Sequence, residues 1–415
     1  MPMSVSRRTV LAGSVATGLV LPVMAGAQQR PAAPAARPAA RAAPPPPPPE
    51  PTQLPNGYPW IQTAAQFAYV VDFETGRVLL DKNSEQRMFP SSMTKMMTAF
   101  IVFEKLARGE LQLTETFTVS ERAWRQGGSK MFVEVNTRVS IENLLRGIIV
   151  HSGNDACIVL AEGLAGSEEA FASLMNAKAA EIGMTGTQYR NSMGWPDPNH
   201  WTTARDLAVL ADQTIRRFPQ FYPMYAEREF RWGNMAPQPN RNPLLAMAGQ
   251  GADGLKTGHT DASGFGLTGS AVRDGRRVIL VINGLTSMRQ RGEEAGRLMD
   301  FAYSQFENLV LFRPGETITE AAVWQGEQRT LPLVAARPLI ATIPRRVRRD
   351  IAVRAVFDEP VVAPIQQGQT IGKLVVSAPS VETVELPLIA GASVDRLGPI
   401  GRVGAAVSHF VFGSR

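Results

Sequence analysis

The feature that most constrains this chain is a set of three short polar segments: Ser92-Met93-Thr94-Lys95, Ser152-Gly153-Asn154 and Lys256-Thr257-Gly258. Each segment combines a hydroxyl group with a lysine amine or an amide. Each also adjoins an apolar run of the kind that forms a buried helix or strand. The fold must therefore place three polar segments at or within its buried elements.

The first segment leads into an apolar stretch. Phe89-Pro90-Ser91 precedes it, and a serine just after a proline is a candidate N-cap, so the sequence predicts the start of a buried helix over Ser92–Val102. Ser92 and Lys95 then lie one turn apart on the same helix face. A lysine can take the proton of a serine only when burial or a nearby cation lowers its pKa. Lys256 is a candidate for that cation.

The second segment joins two predicted helices, over residues 141–150 and 156–161. A tight turn here can hold Ser152 and Asn154 near a nucleophile, where they are available for proton relay and for hydrogen bonding to a peptide group. The alternative is an ordinary helix–helix turn in which both side chains bind backbone groups.

The third segment precedes two runs, Gly264–Val272 and Arg277–Ile282, that flank Asp274-Gly275 and predict a β-hairpin. A strand edge with Lys256, Thr257 and a glycine can dock a substrate backbone, place a cation near a carboxylate and offer an N–H to an oxyanion. The alternative is a surface turn with a stray lysine.

Taken together, the segments resemble the S-x-x-K, S-G-N and K-T-G set of the low-molecular-mass D-alanyl-D-alanine carboxypeptidases, the penicillin-binding proteins that trim peptidoglycan stem peptides. Gly153 stands where class A β-lactamases have Asp. The resemblance spans roughly residues 62–390. It implies an α/β (α+β) catalytic domain of the serine β-lactamase and transpeptidase type, followed by a small all-β sandwich domain, with no cofactor. Further segments carry it: residues 69–79, 147–155, 166–171, 203–206 and 253–260.

By position, the resemblance implies that Ser92 is the acylated nucleophile and Lys95 its general base, with the backbone N–H groups of Ser92 and His259 forming the oxyanion hole. It implies a relay role for Ser152. The residues implied to bind substrate are Asn154, Arg205, Lys256, Thr257, Gly258 and His259, with Arg205 helping to bind the terminal carboxylate.

Three rival functions stay open at this point: a β-lactamase, a D,D-endopeptidase, and a slow penicillin-binding scaffold. Gly153 and the additional β domain argue against a class A β-lactamase. Residues 196–200 depart from the usual family loop. Four histidines and one cysteine without ligand spacing argue against zinc. His151 is expected to be structural or on the surface, Cys157 a buried small residue, and Asp155 a helix N-cap.

The N-terminus predicts export. Arg7 and Arg8 precede an apolar run that ends at Ala25-Gly26-Ala27, which is typical of a twin-arginine signal peptide over residues 1–27. Its removal would lower the formal charge from +6 to +4, and the chain has no dense basic run, so nucleic acid is excluded as a partner. Residues 28–56 are rich in Pro and Ala and predict an extended linker.

The remaining chain predicts a catalytic domain over residues 57–311, a β-sandwich over 312–390 and a tail over 391–415. The prediction of a sandwich is based on short strands with alternating apolar residues, at 321–324, 331–334, 339–343, 351–356 and 371–376. Apolar residues from Val394 to Phe410 recur at helical spacing, although Pro399 and three glycines oppose a free helix. We therefore expect a periplasmic protein whose tail binds the outer face of the inner membrane, with the alternative that the tail packs on the β domain or frays.

Overall fold

The computed structural model describes residues 58–313, 315–379 and 381–403. The predicted signal peptide and linker, and most of the predicted tail, lie outside the described residues. The helices are α1 (Lys95–Ala107), α2 (Glu121–Arg125), α3 (Ile141–Arg146), α4 (Asn154–Ala165), α5 (Glu168–Glu181), α6 (Ala204–Arg217), α7 (Pro243–Ala246) and α8 (Met288–Gln305).

The strands fall into an N-terminal and a C-terminal group. The first group is β1 (Phe67–Asp72), β2 (Val78–Lys82), β3 (Thr116–Thr118), β4 (Arg138–Ser140), β5 (Glu229–Phe230), β6 (Gln238–Pro239), β7 (Ala252–Thr260), β8 (Gly264–Arg273) and β9 (Arg276–Leu285). The second is β10 (Phe306–Phe312), β11 (Thr317–Trp324), β12 (Thr330–Ala335), β13 (Leu339–Pro344), β14 (Ala352–Phe357), β15 (Val361–Val362), β16 (Thr370–Ala378) and β17 (Val381–Ala390).

A five-stranded sheet in the order β2-β1-β9-β8-β7 forms the centre of the catalytic domain, with its neighbours antiparallel. The predicted hairpin is confirmed: Arg273 pairs with Arg276 across Asp274-Gly275, which joins β8 to β9. Strand β7, which carries the Lys-Thr-Gly segment, pairs with β8 on one side and lies at the sheet edge on the other. An edge strand of this kind has backbone groups free to pair with a peptide.

Both faces of the sheet are covered, which explains why β9 is an unbroken apolar run. Ile279 and Val281 contribute to a core shared with α1, α4 and α6, whereas Leu280 and Ile282 contribute to a core shared with α8. The alternation follows from the two-residue period of a strand. Helix α1 is buried on nearly all sides, with every residue from Lys95 to Glu104 buried. The amine of Lys95 is therefore held within the protein core.

The C-terminal unit is all-β, as predicted: a six-stranded sheet in the order β14-β16-β17-β12-β11-β15 and a two-stranded ribbon of β10 and β13. Each of the five predicted strands overlaps an observed one. The unit begins earlier than predicted, because β10 starts at Phe306 and pairs with β13. Its polar residues Glu307 and Asn308 hid this strand. Glu307 pairs with Arg345 and Arg348, and Asn308 Nδ2 donates to Asp72 Oδ1.

The predicted tail begins inside this unit. Val394 is buried and bridges to Ile365, and the backbone N–H of Leu397 donates to Gln325 O. Residues 399–403 are helical, and the remaining tail lies outside the described residues. Val394 is therefore a core residue of the β unit rather than part of a free apolar face. Within the described ranges, no helix combines the length and apolar character needed to cross a bilayer.

Candidate active site

The first polar segment forms a 3-10 turn over Ser91–Thr94, and α1 follows directly from Lys95. The predicted serine cap is wrong: neither the turn nor the helix has a side-chain cap hydrogen bond. The hydroxyls have other partners, since Ser91 Oγ lies 2.5 Å from Ser263 Oγ and Thr94 Oγ1 lies 2.9 Å from His200 Nε2. These contacts fix the turn that carries Ser92.

Lys95 is fully buried, and its amine contacts three oxygens: Ser92 Oγ at 2.9 Å, Asn154 Oδ1 at 2.8 Å and Met193 O at 2.8 Å. Burial, together with a smaller effect of the positive charge of Arg241, lowers the pKa of Lys95 to about 8. The amide and carbonyl oxygens can only accept. When the amine is neutral, its two N–H groups serve those two oxygens, and its lone pair is directed at the hydroxyl of Ser92.

The second segment follows a π-helical turn over Gly147–His151. Ser152 has a φ of +61° and α4 begins at Asn154, so the segment is the tight connection predicted. A side chain at Gly153 would collide with Asp155 Oδ1 and with the backbone N of Met131. Asn154 Nδ2 donates to Gly127 O at 2.8 Å, which orients its Oδ1 toward Lys95.

Ser152 is buried, and its hydroxyl makes no hydrogen bond within the part of the chain that the structure describes. That hydroxyl is free to bind a substrate group or to carry a proton. His151 is structural, because its Nε2 lies 2.8 Å from Phe230 O. Cys157 is buried, as expected.

The prediction that Asp155 caps α4 is wrong. Gly153 occupies the cap position, and the Asp155 carboxylate instead accepts backbone N–H groups from Met131, Phe132 and Val133 at 2.8 to 3.2 Å. It thereby holds the loop that provides Gly127 O to Asn154. Sequence reasoning missed this role, because a carboxylate that binds a distant loop leaves no local pattern.

The third segment packs directly against the turn over Ser91–Thr94 that carries Ser92, which we call the nucleophile turn. A Cβ at Gly258 would lie 2.8 Å from Pro90 O and 3.2 Å from Ser91 Cβ, so only glycine allows β7 to approach this closely. Lys256 and Thr257 are buried, and the pKa of Lys256 is well below its ordinary value because of burial and the charges of Lys95 and Arg241. His259 is exposed, and its ring stacks on Phe265 at 3.8 Å.

Arg205 is the one predicted site residue that the structure separates from the others. It begins α6 beside the β2 end of the sheet: its backbone N–H donates to Ser84 O, and its guanidinium faces Glu85 at 3.9 Å. Strand β7 lies at the opposite edge. The expectation that Arg205 binds the terminal carboxylate is therefore wrong.

Two other arginines face the lysines. Arg241 Nη1 donates to Ser129 Oγ at 2.7 Å, and Arg291 Nη2 donates to Arg241 O at 3.2 Å. Arg291 is buried on α8, its Nε has no hydrogen-bond partner among the described residues, and burial lowers its pKa to about 10. Its charge lowers the pKa of Lys256. In the sequence, a cation on the apolar face of α8 was the signal that could have identified Arg291 as a site residue.

This set of groups can perform acyl transfer. It combines a hydroxyl paired with a buried amine, a free second hydroxyl, an edge strand and several cations that attract an anionic group. No cluster of three or more metal-ligating His, Cys, Asp or Glu side chains occurs within residues 58–313, 315–379 and 381–403.

Comparison with known proteins agrees with this chemistry. Residues 52–286 match the D-alanyl-D-alanine carboxypeptidase family model, and residues 306–396 match the model for the C-terminal domain of penicillin-binding protein 5. The D-alanyl-D-alanine carboxypeptidase DacC of Escherichia coli is 34% identical over 341 residues, which cover 80% of this chain and 85% of that protein.

Solved structures also resemble this chain. Penicillin-binding protein 5 from Haemophilus influenzae is 34% identical, has a TM-score of 0.75, and matches over 82% of this chain and 100% of its own. Penicillin-binding protein D2 from Listeria monocytogenes in its ampicillin-bound form is 28% identical, with a TM-score of 0.54, over 59% of this chain and 99% of its own. The chain belongs to the D-alanyl-D-alanine carboxypeptidase family and is a serine-type carboxypeptidase of that family.

Proposed function

We propose that this carboxypeptidase removes the terminal D-alanine from pentapeptide stems of peptidoglycan through an acyl-enzyme on Ser92. The observation that carries the proposal is the 2.9 Å contact between Lys95 Nζ and Ser92 Oγ inside a buried environment. A serine becomes nucleophilic when an adjacent base accepts its proton, and a buried lysine with a lowered pKa can be that base near neutral pH.

Acylation begins when neutral Lys95 takes the hydroxyl proton of Ser92, whose oxygen then attacks the carbonyl carbon of the penultimate D-alanine. The backbone N–H groups of Ser92 and His259 stabilise the oxyanion. As the tetrahedral intermediate collapses, the C–N bond breaks. The proton passes from Lys95 through the free hydroxyl of Ser152 to the leaving nitrogen, and D-alanine departs as an amine.

The substrate peptide lies along the free edge of β7, while Asn154 binds its amide. Gly258 contributes by admitting the strand to the nucleophile turn. The terminal carboxylate sits among Lys256, Thr257 and the two arginines, Arg241 and Arg291. Binding of a carboxylate by these cations is charge-assisted and stronger than a neutral hydrogen bond. Such binding explains why an exopeptidase would require a free C-terminus.

Water then attacks the ester and releases the tetrapeptide stem. A β-lactam would acylate Ser92 by the same first step. In that case the ring-opened leaving group stays attached, and the ester hydrolyses slowly. The ampicillin-bound relative supports this part of the proposal.

The proposed location is the periplasm. Residues 1–27 would direct export, and the tail would bind the outer face of the inner membrane as an amphipathic segment. After cleavage of the signal, the linker over residues 28–56 would precede the catalytic domain.

The test is product analysis. Mature protein is incubated with a pentapeptide stem ending in D-Ala-D-Ala, and the products are identified by liquid chromatography and mass spectrometry. The proposal expects equal amounts of tetrapeptide and D-alanine from the wild type and none from Ser92→Ala. Cleavage of a crosslinked dimer without release of D-alanine from the monomer would instead indicate an endopeptidase.

A further inference from the structure

A groove opens where the catalytic domain meets the β unit, and we call it the junction groove. Its volume is about 760 Å³, within the roughly 300–1,000 Å³ of pockets that hold drug-sized ligands, so it can receive several residues of a peptide. The turn between β1 and β2 forms one wall, and β13 and β17 form the other. Its lining includes Tyr58, Arg77, Val78, Arg337, Ile340 and Leu386.

The junction groove combines apolar surface with a net positive charge. Val78, Ile340 and Leu386 are partly exposed and provide the apolar surface. Two arginines line the groove against one acidic residue, Glu74. Arg337 is exposed and has no ion-pair partner within the described part of the chain, so its charge is available to an acidic ligand.

The described chain starts in this groove. Tyr58 is its first residue and lines the groove. The hydroxyl of Tyr58 donates to Val78 O at 2.9 Å, and its ring centroid lies 5.3 Å from that of Phe306. The residues just before Tyr58 must therefore lie close to the groove. An extended chain advances at most about 3.6 Å per residue, so Leu54 lies within about 14 Å of Tyr58.

The sequence that leads into the groove matches it in shape and charge. Residues 48–57 read PPEPTQLPNG. Pro48, Pro51 and Leu54 recur every three residues, which is the period of a polyproline II helix, and in that conformation they share one apolar face about 19 Å long. Grooves with an aromatic lining bind such segments, and a tyrosine ring lines this one. The single charge of the segment, Glu50, is opposite in sign to that of the groove.

We propose that residues 48–55 dock in the junction groove as a polyproline II segment. Asn-Gly pairs favour tight turns, and Asn56-Gly57 turns the chain back over the groove. The apolar face of the segment then packs on the apolar wall, and Glu50 pairs with Arg337. Because the groove walls belong to both domains, the docked segment braces the junction between them. This role is separate from the carboxypeptidase reaction, since β2 and β7 lie at opposite edges of the sheet.

The test is disulfide trapping in the mature protein under mild oxidation. One variant combines Leu54→Cys with Leu386→Cys, a position in the groove. The matched control combines Leu54→Cys with Gln305→Cys, an exposed position outside the groove. Gln305 adjoins Phe306, whose ring contacts Tyr58, so an undocked segment can reach both positions. Docking holds residue 54 in the groove, and the first pair should therefore close about 10-fold faster than the control pair.

Two further variants test the apolar wall and the charge. Ile340→Cys in place of Leu386→Cys gives the same comparison at a second lining position and should also close faster than the control pair. Arg337→Glu, added to the first pair, should slow closure about 2- to 5-fold because it repels Glu50. Arg354→Glu reverses an exposed charge on β14 and should leave the rate of closure unchanged.

Non-reducing gels and intact-mass measurements separate a disulfide within one chain from a disulfide between chains. The native Cys157 is buried and does not compete. Equal closure rates for the groove pairs and the control pair would overturn the proposal. A disulfide between two chains as the main product would assign the groove to a second copy of the protein and would also overturn it. Each variant is compared only while it unfolds cooperatively at the temperature of the wild type.

Discussion

Lys95 has a fixed set of partners, and this determines how its protonation affects activity. Its pKa is lowered to about 8, chiefly by burial, and only the neutral amine can accept the Ser92 proton. Below that pKa the amine is protonated and inactive as a base, so kcat/KM should rise with pH through an apparent pKa near 8 rather than near the ~10.4 of free lysine. Initial rates of D-alanine release across pH measure this limb. A flat profile between pH 6 and about 10 would exclude lysine as the base.

Arg241 tunes this same lysine. Its positive charge is one of the causes of the lowered Lys95 pKa. Removing this charge in Arg241→Ala should raise the pKa of Lys95 and shift the rising limb of the kcat/KM–pH profile to higher pH. This shift is separate from any loss of substrate affinity, which would lower the whole profile. Arg205→Ala removes an equal charge at the other sheet edge and should leave the limb in place. If both variants shift the limb equally, the effect is one of overall charge.

Arg291 provides a test of carboxylate binding. Loss of a charge-assisted contact to a carboxylate should lower kcat/KM by about 10-fold or more. The wild type should therefore cleave a substrate with a free C-terminal carboxylate at least that much faster than the corresponding C-terminal amide. Arg291→Gln should reduce this acid-to-amide ratio, whereas Arg205→Gln should not. The reverse pattern would restore the assignment of Arg205 that the geometry rejects.

At the scale of secondary-structure elements, the position of the nucleophile turn depends on its contact with β7. Gly258→Ala would place a methyl group 2.8 Å from Pro90 O and push the turn away from the strand. A displacement of about 1 Å can lower activity by about 100-fold, so this variant should lose that much D-alanine release while its thermal unfolding remains cooperative. In Gly292→Ala the nearest atom, Pro243 Cβ, lies 3.5 Å away, and activity should stay near that of the wild type. Full activity in Gly258→Ala would show that the turn tolerates the shift.

Elements with a local pattern could be predicted from the sequence. Asp-Gly between two apolar runs identified the β8–β9 hairpin, and the one-turn spacing of Ser92 and Lys95 anticipated their contact. Long-range partners left no such pattern: Asp155 binds a loop more than 20 residues away, and Arg291 reaches the site from α8. Arg205 was misassigned because a sequence motif does not show at which sheet edge its helix begins.

At the scale of the whole molecule, the structure determines where the chain can be truncated to test membrane attachment. Because Val394 is a core residue of the β unit, a truncation must leave it in place. A chain ending at Gly398 should retain D-alanine release from soluble peptides but lose sedimentation with anionic liposomes at low salt. The full-length mature protein should sediment. If it stays in solution with liposomes, the tail does not anchor the protein.

The central claim is that Ser92 forms the acyl-enzyme. Intact-mass and peptide-level mass spectrometry after brief exposure to penicillin measures this most directly. The account predicts a single added penicilloyl group on the peptide that contains Ser92, and no added mass in Ser92→Ala, whose circular dichroism and unfolding temperature match the wild type. A penicilloyl group on any other residue, or labelling that persists in Ser92→Ala, would contradict the account.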